Sequence, residues 1–177
     1  MTDPDALWPV RLRLSDVQRR TAALELEADD GRRVAIARAL DLLALACFTA
    51  RVEVRPWLDG LEITACWDAD FTQTCGVSLD PFKTTVSGEF IVRAVPEGSP
   101  AAGAPASEIT VDPNAEDPPD LLEGEEVDVG AYLVEHLALE VDPFPRKPGA
   151  EFEPPPSEDP ASPFAVLKVL KPEPPKE

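Results

Sequence analysis

The chain has 177 residues and carries 16 Lys and Arg against 34 Asp and Glu, a formal net charge of −18. That is about one domain's length, and the acidity argues against a free-standing nucleic-acid binder, a DNA partner or docking on anionic lipid, which all need a basic surface. No apolar run nears the ~20 residues that span a bilayer, the N-terminus lacks the basic and apolar regions of a signal peptide, and three cysteines without framework spacing suit a reducing compartment; a cytoplasmic protein is expected.

Residues 1–96 hold 11 basic and 15 acidic residues and 5 of the 21 prolines, whereas residues 97–177 hold 5 basic, 19 acidic and the other 16 prolines. The first part therefore reads as core. Clusters of Pro and acid lack buriable apolar surface, which marks 97–106 as a flexible linker and 153–177 as a largely disordered tail of a single domain over 1–152.

In chain order, Val10, Leu12 and Leu14 alternate with Arg11 and Arg13, and Ala22, Leu24 and Leu26 with Ala23, Glu25 and Glu27. This period of two predicts strands with one buried face. A helix follows, capped by Asp29 or Asp30, with a stripe of Ile36, Ala39, Leu40 and Leu43. Val52 and Val54 resume the alternation, and the longest run places Leu61, Ile63, Ala65, Trp67, Ala69 and Phe71 on one face. Asp59-Gly60 between these runs signals a hairpin. A last strand covers Val86–Val95, with Gly88 as a bulge or bend. Asp128 caps a second helix over Val129–Val141, which Pro143 and Pro145 end. The sum is an α+β domain: a twisted antiparallel sheet of about five to six strands, open or barrel-like, with two helices packed on it.

Chemistry is sparse. The one histidine, His136, is either a general base oriented by Glu140 or a boundary residue of an amphipathic helix, and the second reading is adopted. Phosphate-cradling and nucleophile-elbow motifs are absent, so no enzyme is expected. Asp68 and Asp70 share a strand face, where they hold a hard cation or only solvate the sheet. Cys47 reads as a small core residue. Ser78 stands where a Cys-x-x-Cys pair beginning at Cys75 needs its second thiolate, so neither zinc nor another cofactor is expected. Cys66 and Cys75 would pair only as a handling artefact, if the connection folds back. Arg11, Arg13, Arg51 and Arg55 occupy outward strand positions; on neighbouring strands they would form a basic patch, and otherwise cross-strand pairs with Glu53 and Glu62. In Asp142-Pro-Phe-Pro-Arg-Lys-Pro-Gly149, three prolines hold an extended clamp. Phe144 is expected to pack at the sheet edge, with Arg146 and Lys147 turned outward to a partner.

Three segments carry a resemblance to a known family. Gln73-Thr-Cys75-Gly-Val-Ser-Leu79-Asp-Pro81-Phe82 resembles the Cys-x-Arg-Cys-Leu-Glu-Pro-type segment of the YceD-like family, the large ribosomal RNA subunit accumulation proteins of bacteria and plastids. The helix with Asp128, Gly130, Leu133 and Leu137 resembles that family's Asp-Leu-Gly … Glu-x-Leu helix. Asp142, Pro143, Pro145, Pro148 and Gly149 look like the ending common in alphaproteobacterial members. The resemblance implies a non-catalytic ribosome-biogenesis factor that supports accumulation of large-subunit (23S) ribosomal RNA. It would act as a monomer on a large-subunit precursor, through ribosomal RNA or a basic ribosomal protein. The alternative is an acidic interaction module or holder of a basic partner.

Overall fold

A computed structural model describes residues 7–102, 118–122 and 124–152. The chain forms β1 (Arg11–Arg13), α1 (Leu14–Val17), β2 (Ala22–Glu27), α2 (Asp30–Ala39), β3 (Ala44–Trp57), β4 (Gly60–Thr74), β5 (Pro81–Pro96), β6 (Asp120–Leu122), β7 (Glu126–Asp128) and α3 (Val129–Glu140). The main sheet has five strands in the order β2-β3-β4-β5-β6, and β1 pairs with β7 in a separate two-stranded sheet. The main sheet is antiparallel except for β6, which joins β5 in parallel over Ala94 to Pro96. Among the described residues it stays open, with β2 and β6 at its edges, so the architecture is α+β without a closed barrel.

Alternation dictates the long strands. Leu61, Ile63, Ala65, Trp67, Ala69 and Phe71 are all buried, and they meet Ala50, Val52 and Val54 of β3 and Phe90 and Ala94 of β5 on one inner face. Trp8 packs on Phe48 with ring centroids 4.9 Å apart, and Phe48 meets Trp67 edge-on at 5.9 Å. Leu133, Val134 and Leu137 of α3 close this core. Side chains at 49, 51, 53 and 55, and at 64, 66, 68 and 70, line the outer face, where the described residues place no helix.

Several local expectations need correction. Leu14 leaves the first strand and opens α1, because only Arg11–Arg13 find a partner in β7. The α2 stripe stops at Leu40: Ala39 and Leu43 are exposed, since the helix ends where Asp41 takes φ 54° and the chain turns into β3. A register shift between Leu45 and Cys47 turns Phe48 into the core and leaves Cys47 half-buried beside Asp70. The hairpin turn is Leu58-Asp59 rather than Asp59-Gly60. Gly60 opens β4 instead, where a Cβ would stand 2.0 Å from the carbonyl oxygen of Ala94. Gly88 is no bulge: it keeps register opposite Trp67, whose indole covers it so closely that a Cβ would sit 2.5 Å from the ring. Of the expected linker, Pro100–Ala102 form a single 3-10 turn behind Ser99, whose hydroxyl donates to Asp59 Oδ1 at 2.8 Å. Residues 103–106 and the tail 153–177 lie outside the described residues.

Candidate partner-binding surface

Two segments some seventy residues apart in sequence meet at the end of the main sheet. β4 ends at Thr74, and Cys75 starts a tight connection in which its carbonyl accepts the Leu79 N–H at 2.9 Å and its own N–H donates to the Asp80 carbonyl at 2.9 Å. The clamp lies against this connection. Gln73 Nε2 donates to the Asp142 carbonyl at 3.1 Å, the Gly76 N–H donates to the Pro145 carbonyl at 2.8 Å, and Lys147 Nζ stands 3.6 Å from Asp80. Prolines suit this role because they hold an extended backbone at low entropic cost while their carbonyls still accept.

The sulfur of Cys75 is the hub. It is fully buried and accepts the backbone N–H groups of Val77, Ser78 and Lys147, each at 3.4 Å. The Ser78 hydroxyl and these N–H groups favour the thiolate and pull the thiol down to about 6, against a smaller opposing effect of burial. Ser78 thus contributes to the hydrogen-bonding shell of Cys75. Among the described residues, no group of three or more His, Cys, Asp and Glu is placed to hold a metal ion. Cys66 is exposed on the outer face of β4. Nine residues of extended strand separate it from Cys75 by roughly 30 Å, so an intramolecular disulfide is out of reach.

Phe144 does not pack at the sheet edge; it is 81% exposed. Asp142 Oδ1 accepts the Phe144 N–H at 2.8 Å, an Asx-type turn, while the next carbonyl is committed to Gly76, and the ring stands outward. Arg146 and Lys147 are exposed as expected. Leu79 is also exposed, at φ 61°, and Pro81 begins β5. Beyond Pro148, Gly149 takes φ 79° and the Ala150 N–H returns to the Lys147 carbonyl at 3.0 Å.

The four strand arginines do not come together. Arg11 and Arg13 lie on β1, where their Nε atoms stand 3.7 Å from Asp128 and 3.4 Å from Glu126. Arg51 and Arg55 lie on the main sheet. Arg55 pairs with Glu62, which is only 3% exposed and also accepts Arg93 Nε at 3.0 Å, while the Arg93 guanidinium rests 5.1 Å from the Trp57 ring centroid. Hydrogen bonds from Arg93, then Arg55, hold the Glu62 carboxyl below its usual range despite burial. The sequence named Glu62 as a cross-strand partner, and Arg55 takes it up; its burial was not legible, because an acid on a polar strand face carries no local sign of burial.

The remaining motif residues are structural. Asp128 Oδ1 accepts the Gly130 and Ala131 N–H groups at the start of α3, at 3.0 and 3.4 Å, and the Val10 N–H at 2.9 Å. A Cβ on Gly130 would fall 1.6 Å from the Trp8 carbonyl oxygen, so only glycine lets α3 approach the N-terminal segment. His136 stacks on Phe90 with centroids 3.9 Å apart, and burial lowers its pKa against the opposing charges of Glu135 and Glu140. Asp70 accepts the Thr85 hydroxyl at 2.6 Å. A groove of about 610 Å³ beside β6 and β7 carries Asp120, Glu126, Asp128 and Glu135 against Arg11, with the Tyr132 hydroxyl donating to Asp120 at 2.9 Å.

This is an open-sheet α+β domain whose two most distinctive sequence segments are spent on building one exposed face. The family model described as "Large ribosomal RNA subunit accumulation protein YceD" matches residues 63–171, more than half of the chain and inclusive of both segments. The chain belongs to the YceD family, and the family's description ties it to ribosome biogenesis. No curated protein and no solved structure matches it. Among the described residues, no helix is long and apolar enough to cross a membrane.

Proposed function

We propose that the protein is a non-catalytic cytoplasmic factor that supports accumulation of large-subunit (23S) ribosomal RNA by docking, as a monomer, on large-subunit precursor particles. The face formed by the Cys75 connection and the clamp makes the contact. The observation that carries this reading is the set of three cross-segment hydrogen bonds, from the Lys147 N–H to the buried Cys75 sulfur, from the Gly76 N–H to the Pro145 carbonyl and from Gln73 Nε2 to the Asp142 carbonyl, that fix a segment whose Phe144, Arg146 and Lys147 side chains are left exposed. Burying such a ring in a core would stabilise the fold; holding it outward on a rigid backbone suits an anchor for a partner. The stacking of the one histidine on Phe90 favours a structural role for it and supports the non-catalytic reading.

The test is co-sedimentation of the full chain with large-subunit precursors, comparing wild type with Phe144→Ala and with Arg146→Ala plus Lys147→Ala. Each variant should keep its stability within ~0.5 kcal/mol, as surface changes do, and lose most of its particle association. Unchanged association in both variants overturns the assignment of this face. A second reading, a holder of one basic protein, is favoured by the groove beside β6 and β7 and by the net charge of −18. Recovery at low salt of a single basic protein without ribosomal RNA would select it.

A further inference from the structure

The clamp forms one wall of a groove of about 500 Å³, whose other lining residues come from the α2–β3 connection, the end of β4, the Cys75 connection and the C-cap of α3. Its lining is mixed: Leu40, Leu43, Val77, Val141, Pro143 and Phe144 supply the apolar part, and Asp41, Gln73, Thr74, Asp142 and Arg146 the polar part. Leu43 is 59% exposed and Phe144 is 81% exposed, so two large apolar side chains face one concavity uncovered by any described residue. Solitary exposed apolar residues are ordinary, but several lining one concavity mark a surface that something covers.

The chain itself carries a fitting occupant. Residues 153–163 and 171–177 are almost wholly Glu, Asp, Pro, Ser and Lys. Between them lies Phe164-Ala-Val-Leu-Lys-Val-Leu170, in which five of seven residues are large and apolar. The family match runs through residue 171, so it takes in this segment and leaves out the acidic end that follows. The described chain stops at Phe152, five residues beyond the Lys147 N–H that is bound to Cys75. With the turn at Ala150 this places the exit within roughly 14 Å of the groove's wall. The eleven residues 153–163 reach at most ~36 Å, enough to return a segment to the groove from that exit and short enough to hold it at millimolar effective concentration. Lys168 lies within the segment and Lys171 directly follows it, and the groove presents Asp41 and Asp142 beside Arg146.

We infer that the segment Phe164–Leu170 docks its apolar side chains in the groove between Leu43 and Phe144 of its own chain. Docking in cis stands or falls independently of which partner the face meets. The probe is a fluorescently labelled peptide of residues 163–171, titrated by anisotropy into three full-length proteins: wild type, Val166→Asp with Leu167→Asp, and that double variant with Leu43→Asp added. All the altered side chains are exposed on the surface or lie outside the described core, and circular dichroism verifies that the fold is kept. The double variant, its own segment disabled, should bind the peptide at least tenfold more tightly than wild type, and Leu43→Asp should abolish the gain. Equal affinity in wild type and the double variant, or no binding to either, overturns the inference. A wild-type dimer in sedimentation that the double variant lacks also overturns it, in favour of docking into a second copy.

Discussion

Replacing Asp128 by alanine removes one oxygen that serves three N–H groups. Two belong to the first turn of α3 and the third to Val10, 118 residues away in sequence. Loss of the helix cap costs about 1 kcal/mol. Val10 is half-buried, and its orphaned N–H adds about 1–2 kcal/mol. The Arg11 pair adds little, because Arg11 is 60% exposed and its Nε lies 3.7 Å from the carboxylate. The expected loss is therefore about 2–3 kcal/mol, a fall in melting temperature of roughly 10 °C for a domain of this size. Asparagine keeps Oδ1 as acceptor and forfeits only the ion pair, so Asp128→Asn should stay within about 1 kcal/mol of wild type. Urea unfolding followed by tryptophan fluorescence measures both, since Trp8 sits against the same segment. Equal destabilisation by Asn and Ala, or a loss below 1 kcal/mol for Ala, would refute the hydrogen-bond account.

Glu62→Ala should destabilise by about 2–4 kcal/mol. The arm to Arg93 contributes a charge-assisted bond of about 1.5–3 kcal/mol, and the more exposed Arg55 adds at most about 1 kcal/mol; thermal melts of Glu62→Ala against Glu62→Gln measure it, and a change under 0.5 kcal/mol for alanine contradicts the pairing. Because the folded carboxyl titrates below its unfolded value, this contribution is present above the usual carboxylate range and is lost as pH falls through the lowered value. The Cys75 thiol is likewise held down, to about 6 against an ordinary value near 9. Its stabilisation of the clamp is complete above the unfolded value, shrinks as pH falls and is gone below about 6. Amide exchange at Lys147, corrected for its intrinsic pH dependence, should therefore show less protection at pH 5 than at pH 8, and pH-independent protection would show that the thiol form holds the clamp equally well.

Where period-two alternation ran long, the sequence was readable: the buried face of β4 follows directly from Leu61 to Phe71, and Asp128 was visible as a cap. Short and distant pairings were not. β1 and β7 have three residues each, too few to show a period, and nothing near Arg11 announces a partner at Asp128. The start of β3 was hidden because Leu42 to Phe48 is nearly all apolar, which reads equally well as helix or strand until the bulge after Leu45 is known. The outward turn of Phe144 depends on the Asp142 side chain bonding two residues ahead, and the convergence on Cys75 depends on Lys147, 72 residues on.

The pairing of β1 with β7 also bears on how the molecule is made. Every strand bond of β1 goes to residues 126–128, and the Leu14 N–H donates to the Glu125 carbonyl. Of the described strands, β1 therefore waits for β7, a delay of roughly 6–25 s at the usual ~5–20 residues per second. Meanwhile β2 to β5 are joined by successive short-range antiparallel pairings and can assemble as they emerge. Trp8, buried in the finished fold against Phe48 and α3, lacks its α3 neighbour throughout that interval. High contact order is thus concentrated in one closing step, so the nascent chain is most vulnerable to wrong association at its N-terminus, and a fusion placed there would burden the step that completes the domain.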